Sequence, residues 1–262
     1  TSLQIGPLGI DLNISGLPED RLHFNQQRLA GFISPETPIN NNIVVQATSR
    51  HLMYYGPDTL ASPRGDWILR PGFLLEKTGD STWHATSMES NLSIDILLRW
   101  ICTVEIIDRG GLVLHGSSGV ISDNGYLFLG ASGRGKSTII DNADFDSTLC
   151  DEASILAPGT DGGWSLWPSP FWGLGRSWDG GENRPTPLNG IFLLTGNWDK
   201  TTISPASPSD AVSGIYSRVL DVQGKPELPA RVLDTCCALS ETTPVKYLSW
   251  QLEDDLKKAI MA

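Results

Sequence analysis

The sequence predicts an α/β fold built on a mixed α+β sheet, with a smaller β-rich region at its N-terminal end. A glycine-rich motif at residues 130–137 follows an apolar run and precedes a helix-like segment. Short apolar runs separated by turn residues fill the first ninety residues, and helical spacing of apolar residues begins at Asn91. We therefore expect a β-rich N-terminal region over residues 1–90 and a larger domain carrying the motif over residues 91–262.

In the N-terminal region the apolar runs are short and lie between turn residues such as Pro71-Gly72, which is typical of paired strands. The predicted strands are 43–46, 67–69 and 73–75, with one short helix near residues 19–33. From Asn91 to Ile107 the apolar residues recur at helical spacing, and Gly110-Gly111 follow as a stop. This segment predicts a buried helix that leads into the second domain.

The second domain alternates strand-like and helix-like runs. Strands are predicted at 112–115, 126–129, 148–150, 191–194 and 244–248, and helices at 211–222, 228–239 and 251–260. Ser122 to Gly125 reads as a hairpin turn, and Asn142 to Asp146 as a turn that keeps the helix after the motif short. Residues 158–190 are rich in Gly, Pro and Trp, which predicts a long functional loop or ribbon.

Composition limits the possible partners and compartments. The 262-residue chain has 40% hydrophobic residues, as globular proteins do, and its formal net charge of −11 comes without any basic run. Nucleic acid is therefore not expected as a partner, because phosphate backbones bind clustered Lys and Arg. No apolar stretch reaches about 18 residues, the length that spans a bilayer, and no signal-peptide pattern is present. We expect a cytoplasmic protein with no membrane partner.

The four cysteines do not predict a metal site or a disulfide framework. Cys102, Cys150, Cys236 and Cys237 show no C-x-x-C spacing, and adjacent cysteines rarely bridge each other. We expect free thiols.

Residues 130–137 match the phosphate-loop (Walker A) pattern G-x-x-x-x-G-K-[ST] at every fixed position. The predicted nucleotide-binding residues are Gly130, Ala131, Ser132, Gly133, Arg134, Gly135, Lys136, Ser137 and Thr138. Glycines at these positions allow successive backbone N–H groups to point at phosphate oxygens. Lys136 is then placed to reach the β- and γ-phosphates, and the Ser137 hydroxyl to ligate Mg²⁺. The motif therefore predicts ATP, or another nucleoside triphosphate, and Mg²⁺; the alternative is a glycine-rich turn with a surface lysine.

Asp151 and Glu152 follow an apolar strand soon after the loop, where P-loop enzymes place a carboxylate near Mg²⁺. Two adjacent carboxylates can divide the work, one at the metal and one accepting the proton of an attacking hydroxyl. A solvated acidic turn is the alternative. His115 ends a strand expected beside the loop strand, so either it approaches Asp151 and tunes its basicity or it is structural.

Two features of the sequence, Arg134 and the tryptophan cluster, each have more than one interpretation. Arg134 either leans on the phosphates or faces solvent, and the pattern favours solvent because it leaves that position free. The tryptophans at 164, 167, 172 and 178 either stack on an adenine or hold a peptide, or they pack the ribbon onto the core.

Residues 112–156 resemble the HPr kinase/phosphorylase family, which shares its nucleotide site with phosphoenolpyruvate carboxykinases. The resemblance rests on Leu114-His115-Gly116, the loop with Thr138, and Cys150-Asp151-Glu152. It implies a P-loop HPr kinase/PEP carboxykinase-like core and a catalytic domain over residues 91–262. It further implies that Asp151 is the base toward a serine hydroxyl, that His115 assists it, and that Ser137 and Glu152 bind the metal.

The sequence departs from that family at three places. Glu152 stands where the family has a second Asp, and Thr138 where it has Glu. The family also has an Arg-Gly-Leu-Gly-type segment, which only residues 173–176 of this sequence resemble, and then weakly. In these residues Arg176 is a candidate phosphate clamp. These differences weaken the assignment of HPr as substrate more than the assignment as a kinase.

The sequence therefore predicts an HPr-serine-kinase-like phosphotransferase that uses ATP and Mg²⁺ to phosphorylate a hydroxyl, with serine favoured, on a protein, peptide or small molecule. A nucleotide-binding regulatory or scaffold protein with little turnover is the alternative. An ABC-type ATPase is disfavoured because no Leu-Ser-Gly-Gly-Gln-like segment is present. The family resemblance leans toward a homo-oligomer.

Overall fold

The computed structural model describes residues 1–48, 60–61, 67–173, 176, 178, 180–197, 199–220 and 227–261. Backbone contacts divide the chain into two units. Unit 1 comprises Thr1–Glu105 and Asp221–Pro229, and unit 2 comprises Ile106–Leu220 and Ala230–Ala262.

Unit 1 is built on a seven-stranded sheet. Its elements are β1 (Ser2–Ile5), β2 (Leu8–Ser15), α1 (Glu19–Leu29), β3 (Asn41–Thr48), β4 (Leu60–Ala61), β5 (Trp67–Arg70), β6 (Phe73–Gly79), β7 (Thr82–Met88) and α2 (Asn91–Asp108), whose last three residues belong to unit 2. The strand order is β1-β2-β3-β7-β6-β5-β4, with β3 parallel to β2 and β7. Alternate residues of β3 are buried, as expected for a strand with one face on the core.

A buried polar cluster lies in the core of unit 1. The Glu105 side chain, on α2, accepts a hydrogen bond of 3.0 Å from the Trp83 indole N–H. It also forms an ion pair with Lys77, whose Nζ lies 3.3 Å from Glu105 Oε1. The Lys77 ammonium also lies 4.9 Å from the centroid of the Trp83 ring. Each polar group of this cluster has a partner, as the burial of Glu105 requires.

Unit 2 contains the remaining elements. They are β8 (Leu112–Ile121), β9 (Asn124–Leu129), α3 (Lys136–Asn142), β10 (Ser147–Cys150), β11 (Ala153–Pro158), β12 (Trp164–Trp167), β13 (Thr186–Leu194), β14 (Thr202–Pro205), α4 (Pro208–Tyr216), α5 (Leu228–Thr242, whose first two residues belong to unit 1), β15 (Val245–Ser249) and α6 (Leu256–Met261). Five of the strands close into a ring, β8-β11-β12-β13-β9, in which β9 pairs back onto β8. β10 extends this ring from β8, and β15 and β14 extend it from β13.

The predicted fold class is wrong. An α/β P-loop core of the HPr kinase/PEP carboxykinase type was expected, and the structure is a sheet-rich, mixed α+β fold with a closed five-stranded barrel and a large mixed sheet. The short turn at Ser122 and Asp123, both at positive φ, makes β8 and β9 an antiparallel hairpin. The helix after the loop has only seven residues, and the ring closes without it.

Several element bounds also differ from the sequence prediction. β8 continues six residues past His115 to Ile121, and the ribbon at 158–190 contains β12 and the start of β13. α4 ends at Tyr216, and the predicted end of that helix at 221–222 lies outside the described residues. The last helix starts at Leu256 rather than at residue 251.

An aromatic core supports the strand that precedes the phosphate loop. The Phe128 ring stacks on Phe192 at 5.5 Å between centroids and packs against Phe145 at 5.7 Å. Ile139, on α3, is buried in the same cluster. The loop between Leu129 and Lys136 is therefore held at both ends by side chains of one core.

In the part of the chain that the structure describes, no helix combines the length and the apolar character needed to cross a bilayer.

Candidate functional site

The phosphate loop, the acidic pair and the histidine line one pocket of unit 2, whose volume is about 660 Å³. The lining residues are His115, Ser132, Gly133, Gly135, Lys136, Ser137, Thr138, Asp151, Glu152, Gly173 and Arg176. This volume falls in the range of small-molecule sites. Residues from four separate stretches of the chain therefore meet at one place.

The loop backbone takes conformations that need glycine. Gly133 has φ of +76° and Gly135 has φ of +92°, in the left-handed region that side chains rarely adopt. A Cβ at Gly133 would meet open space, so the backbone angle rather than crowding makes glycine necessary there. The loop thus presents an uncovered stretch of backbone to the pocket.

The Lys136 ammonium is held inside the loop. Its Nζ donates hydrogen bonds to the carbonyl oxygens of Gly130, at 3.0 Å, and Ala131, at 3.3 Å. Only 8% of the residue is exposed. Burial lowers the pKa of the Lys136 ammonium and nearby Arg218 lowers it further, whereas Glu152 raises it. The buried Lys136 ammonium is only partly neutralised by these groups, and such a cation favours an anionic ligand.

Asp151 follows β10 and is almost fully buried. Its Oδ1 accepts a hydrogen bond of 3.0 Å from the Gly173 N–H, and its Oδ2 lies 3.5 Å from Arg176 Nε. Burial raises the pKa of this carboxyl above its ordinary value, although the Gly173 N–H and the Arg176 cation lower it in part. A raised pKa makes a carboxylate a stronger proton acceptor.

The carboxylates of Glu152 and Asp151 both lie beside Gly173. A Cβ built on Gly173 would lie 3.2 Å from Glu152 Oε2 and 3.3 Å from Asp151 Oδ2. The Glu152 carbonyl accepts a hydrogen bond of 3.0 Å from the Gly116 N–H, which ties the acidic pair to β8. The absence of a side chain at Gly173 leaves room for two carboxylates.

His115 lies in the middle of β8, half-buried, and lines the pocket. On one side it pairs with Ala153 of β11. On the other, its backbone N–H donates a hydrogen bond of 2.6 Å to the carbonyl oxygen of Arg218. The main chain on both sides therefore fixes the backbone from which this imidazole extends.

Arg176 spans the acidic side of the pocket. Its Nη2 lies 2.6 Å from Asp141 Oδ2 on α3, and its Nε faces Asp151. The ion pair with Asp141 raises the pKa of the guanidinium. Leu174 and Gly175, which belong to the predicted Arg-Gly-Leu-Gly-like echo, lie outside the described residues.

Some predicted residues do not line the pocket. Gly130 and Ala131 contribute carbonyl oxygens to Lys136, and Arg134 is exposed. The Arg134 guanidinium donates a hydrogen bond to the carbonyl oxygen of Thr195 and lies over Gly196. Arg134 therefore links the loop to the chain that follows β13.

The tryptophans of the 158–190 segment make contacts of their own. The Trp164 indole N–H donates to Thr242 Oγ1 on α5, and the Trp172 N–H donates to the Ser169 carbonyl oxygen within a buried turn. Among the described residues, no tryptophan lines the pocket. These contacts favour packing over stacking on a ligand.

The residues present fit one kind of metal site. Among the residues that the structure describes, no three His, Cys, Asp or Glu side chains are arranged to hold a metal ion. Ser137 and Glu152 both line the pocket and offer a hydroxyl and a carboxylate oxygen. Mg²⁺ commonly takes one or two protein ligands and completes its shell with water and phosphate oxygens. The donor set thus fits Mg²⁺ shared with a phosphate, and does not fit an ion held by protein alone.

Sequence reasoning missed three contacts in and beside the pocket. Gly173 donates its N–H to Asp151, Asp141 anchors Arg176, and Arg218 lies beside His115. The glycines at 173 and 175 were a signal for the first of these. The other two depend on strand and helix packing between segments far apart in sequence.

No family model matches this chain, and no curated protein sequence matches it.

Proposed function

We propose that this protein is a kinase that transfers the γ-phosphoryl group of ATP, with Mg²⁺, to a hydroxyl group of a protein, peptide or small molecule, with serine as the first acceptor to test. One observation carries the proposal: loop residues 132, 133 and 135–138 share a single pocket with His115, Asp151 and Glu152. Such a pocket combines groups for holding phosphates with a group for accepting a proton.

Nucleotide binding in this proposal depends on the loop. Backbone N–H groups of residues 132, 133 and 135–138 and the Lys136 ammonium bind the phosphate oxygens. The buried position of Lys136 supports this role, because a desolvated cation attracts an anion more strongly than one in water does. Ser137 and Glu152 would hold Mg²⁺, which offsets negative charge on the phosphates when it is bound.

Proton transfer in this proposal depends on Asp151. The acceptor oxygen bonds to the γ-phosphorus as its proton passes to the Asp151 carboxylate, and the bond from the γ-phosphorus to the bridging oxygen breaks to release ADP. The raised pKa of the Asp151 carboxyl supports this role. His115, beside it in the pocket, would orient the carboxylate or the acceptor.

The resemblance of residues 112–156 to HPr kinases supports the proposal at the level of motifs only. The proposal does not depend on that family's fold. An ATP-dependent reaction also agrees with the cytoplasmic location expected from the sequence, and an oligomer, as the resemblance suggests, remains part of the proposal.

The test is phosphate transfer from γ-labelled ATP to components of a desalted cell lysate, followed by mass spectrometry of the labelled species. We expect labelling by the wild-type protein and its loss in Asp151→Asn. The matched control is Asp161→Asn, because Asp161 is exposed and accepts a hydrogen bond from the Gly163 N–H that an amide oxygen can also accept. Transfer retained in Asp151→Asn would remove Asp151 from the role of base.

A regulatory nucleotide-binding protein is the second candidate, and one observation favours it. Both oxygens of Asp151 have partners in Gly173 and Arg176, as a carboxylate that only fixes the 173–176 segment would. Tight binding of ATP with no hydrolysis and no labelled product would support this second function over the first.

A further inference from the structure

Arg218 lies next to the pocket on a short stretch of chain that pairs with β8. Leu114 and Val219 form an antiparallel bridge, with hydrogen bonds from the His115 N–H to the Arg218 carbonyl and from the Leu220 N–H to the Val113 carbonyl. In this register Arg218 stands directly opposite His115. Residues opposite each other in an antiparallel pair extend to the same face.

That face is the one on which the pocket lies, because His115 lines the pocket. Arg218 is half-buried, so its guanidinium is partly withdrawn from water. Within the described residues, no ion pair joins Arg218 to a carboxylate. This differs from Arg176 and Arg231, which pair with Asp141 and Asp108.

Arg218 adds a second cation beside the pocket. It stands opposite His115, and His115 and Lys136 line the same pocket. Lys136 is buried and Arg218 is half-buried, so a polyanion that contacts both would offset the charge of each. A polyphosphate supplies such an anion.

We propose that Arg218 is a second phosphate-binding cation of this pocket, which contacts the phosphate chain of the nucleotide from the β8 side together with Lys136. This inference rests on the proposed nucleotide site. It assigns to one residue after α4 a role that the P-loop motif does not contain. The guanidinium is suited to it because its N–H groups bind phosphate oxygens in pairs.

The test is calorimetric titration of the full chain with MgATP, tripolyphosphate and adenosine, for the wild type, Arg218→Met and Arg218→Lys. We expect Arg218→Met to weaken binding of MgATP and tripolyphosphate by about tenfold to a hundredfold and to leave adenosine binding unchanged. It should also flatten the dependence of affinity on salt, and Arg218→Lys should recover part of the loss.

The control is Arg231→Met, which removes the same charge from an exposed ion pair with Asp108. Thermal unfolding of each variant checks folding, and the pairing with β8 should survive because it uses main-chain atoms of residue 218. If Arg218→Met does not fold, the salt dependence and affinity of Arg218→Lys against the wild type decide the question.

Equal affinities of the wild type and both Arg218 variants for tripolyphosphate would overturn this inference and leave the proposed kinase intact. Equal loss of adenosine and ATP binding would also overturn it, because it would assign Arg218 a structural role. A wild-type protein that binds neither ATP nor tripolyphosphate would overturn the proposed function as well.

Discussion

Arg176 Nε lies 3.5 Å from Asp151 Oδ2, while the same guanidinium pairs with Asp141 at 2.6 Å. The cation is thus shared between a buried carboxylate and an exposed one. Because Arg176 favours the ionised form of Asp151, it opposes the effect of burial on the pKa of that carboxyl. The basicity of the proposed proton acceptor therefore depends on this contact as well as on burial and the Gly173 N–H.

Replacing Arg176 should shift the pH dependence of activity. In Arg176→Gln the Asp151 carboxylate loses a nearby cation, so its pKa rises further above its ordinary value. Since the base must be deprotonated, the acid limb of the pH–rate profile should move to higher pH. The profile of phosphate transfer measures this, with Arg184→Gln as the control because Arg184 pairs with exposed Glu182. An unmoved or lowered acid limb would separate Arg176 from the titration of Asp151.

Replacing Lys136 should weaken nucleotide binding without loss of stability. Lys136→Met deletes the buried ammonium and should weaken MgATP binding by about a hundredfold, as expected for charge-assisted hydrogen bonds. The pKa of Lys136 is lowered by burial, so its charge costs free energy in the folded state, and the melting temperature should stay level or rise. Calorimetry and thermal unfolding measure both effects. Lys257→Met, which removes an exposed ion pair with Asp146, serves as control, and unchanged ATP affinity in Lys136→Met would contradict the prediction.

A methyl group at Gly173 should slow transfer more than it weakens binding. The added Cβ would crowd Glu152 Oε2 at 3.2 Å and Asp151 Oδ2 at 3.3 Å, so both carboxylates must shift. We expect Gly173→Ala to lower kcat by about tenfold or more, because misplacement of a catalytic group is costly, and to leave the affinity for tripolyphosphate unchanged. Gly79→Ala is the control, since its Cβ would lie 3.6 Å from Thr82, an ordinary contact. An equal drop in affinity and kcat would argue against this division of roles.

The cluster around Glu105 should be a large contributor to the stability of unit 1. Glu105→Ala leaves the Trp83 N–H and the Lys77 ammonium without their shared partner, and should cost about 3 kcal/mol of unfolding free energy. Denaturant unfolding monitored by tryptophan fluorescence measures it. Glu182→Ala, which breaks an exposed ion pair, should change stability by less than about 1 kcal/mol. A Glu105→Ala protein as stable as that control would show that the cluster is dispensable.

The local parts of the site could be predicted from the sequence because each is a short pattern. Lys136 and Ser137 follow from the spacing of one motif, and Asp151 from its place at the end of an apolar run. The structure brings these residues and His115 into one pocket. Arg218 and Asp141 left no such pattern, because their contacts join segments that are distant along the chain.

The fold class was harder to predict because it depends on pairing rather than on local runs. The strand entering the loop was expected, but nothing in residues 126–129 indicates that β9 pairs with both β8 and β13. The motif resemblance over residues 112–156 led to the wrong core, since it does not include β13, the strand that closes the barrel. Sequence motifs and hydrophobic periodicity therefore do not predict that these strands close into a barrel.

The ring of five strands in unit 2 has a mechanical consequence for the phosphate loop. The strand β9 has hydrogen-bonded neighbours on both sides, so it cannot fray sideways into solvent or offer a bare edge to another chain. Opening it requires breaking two ladders at once, which places its amides among those expected to exchange slowest with deuterium. We therefore expect the loop attached to this support to rearrange little when a polyanion binds, at a small cost in free energy.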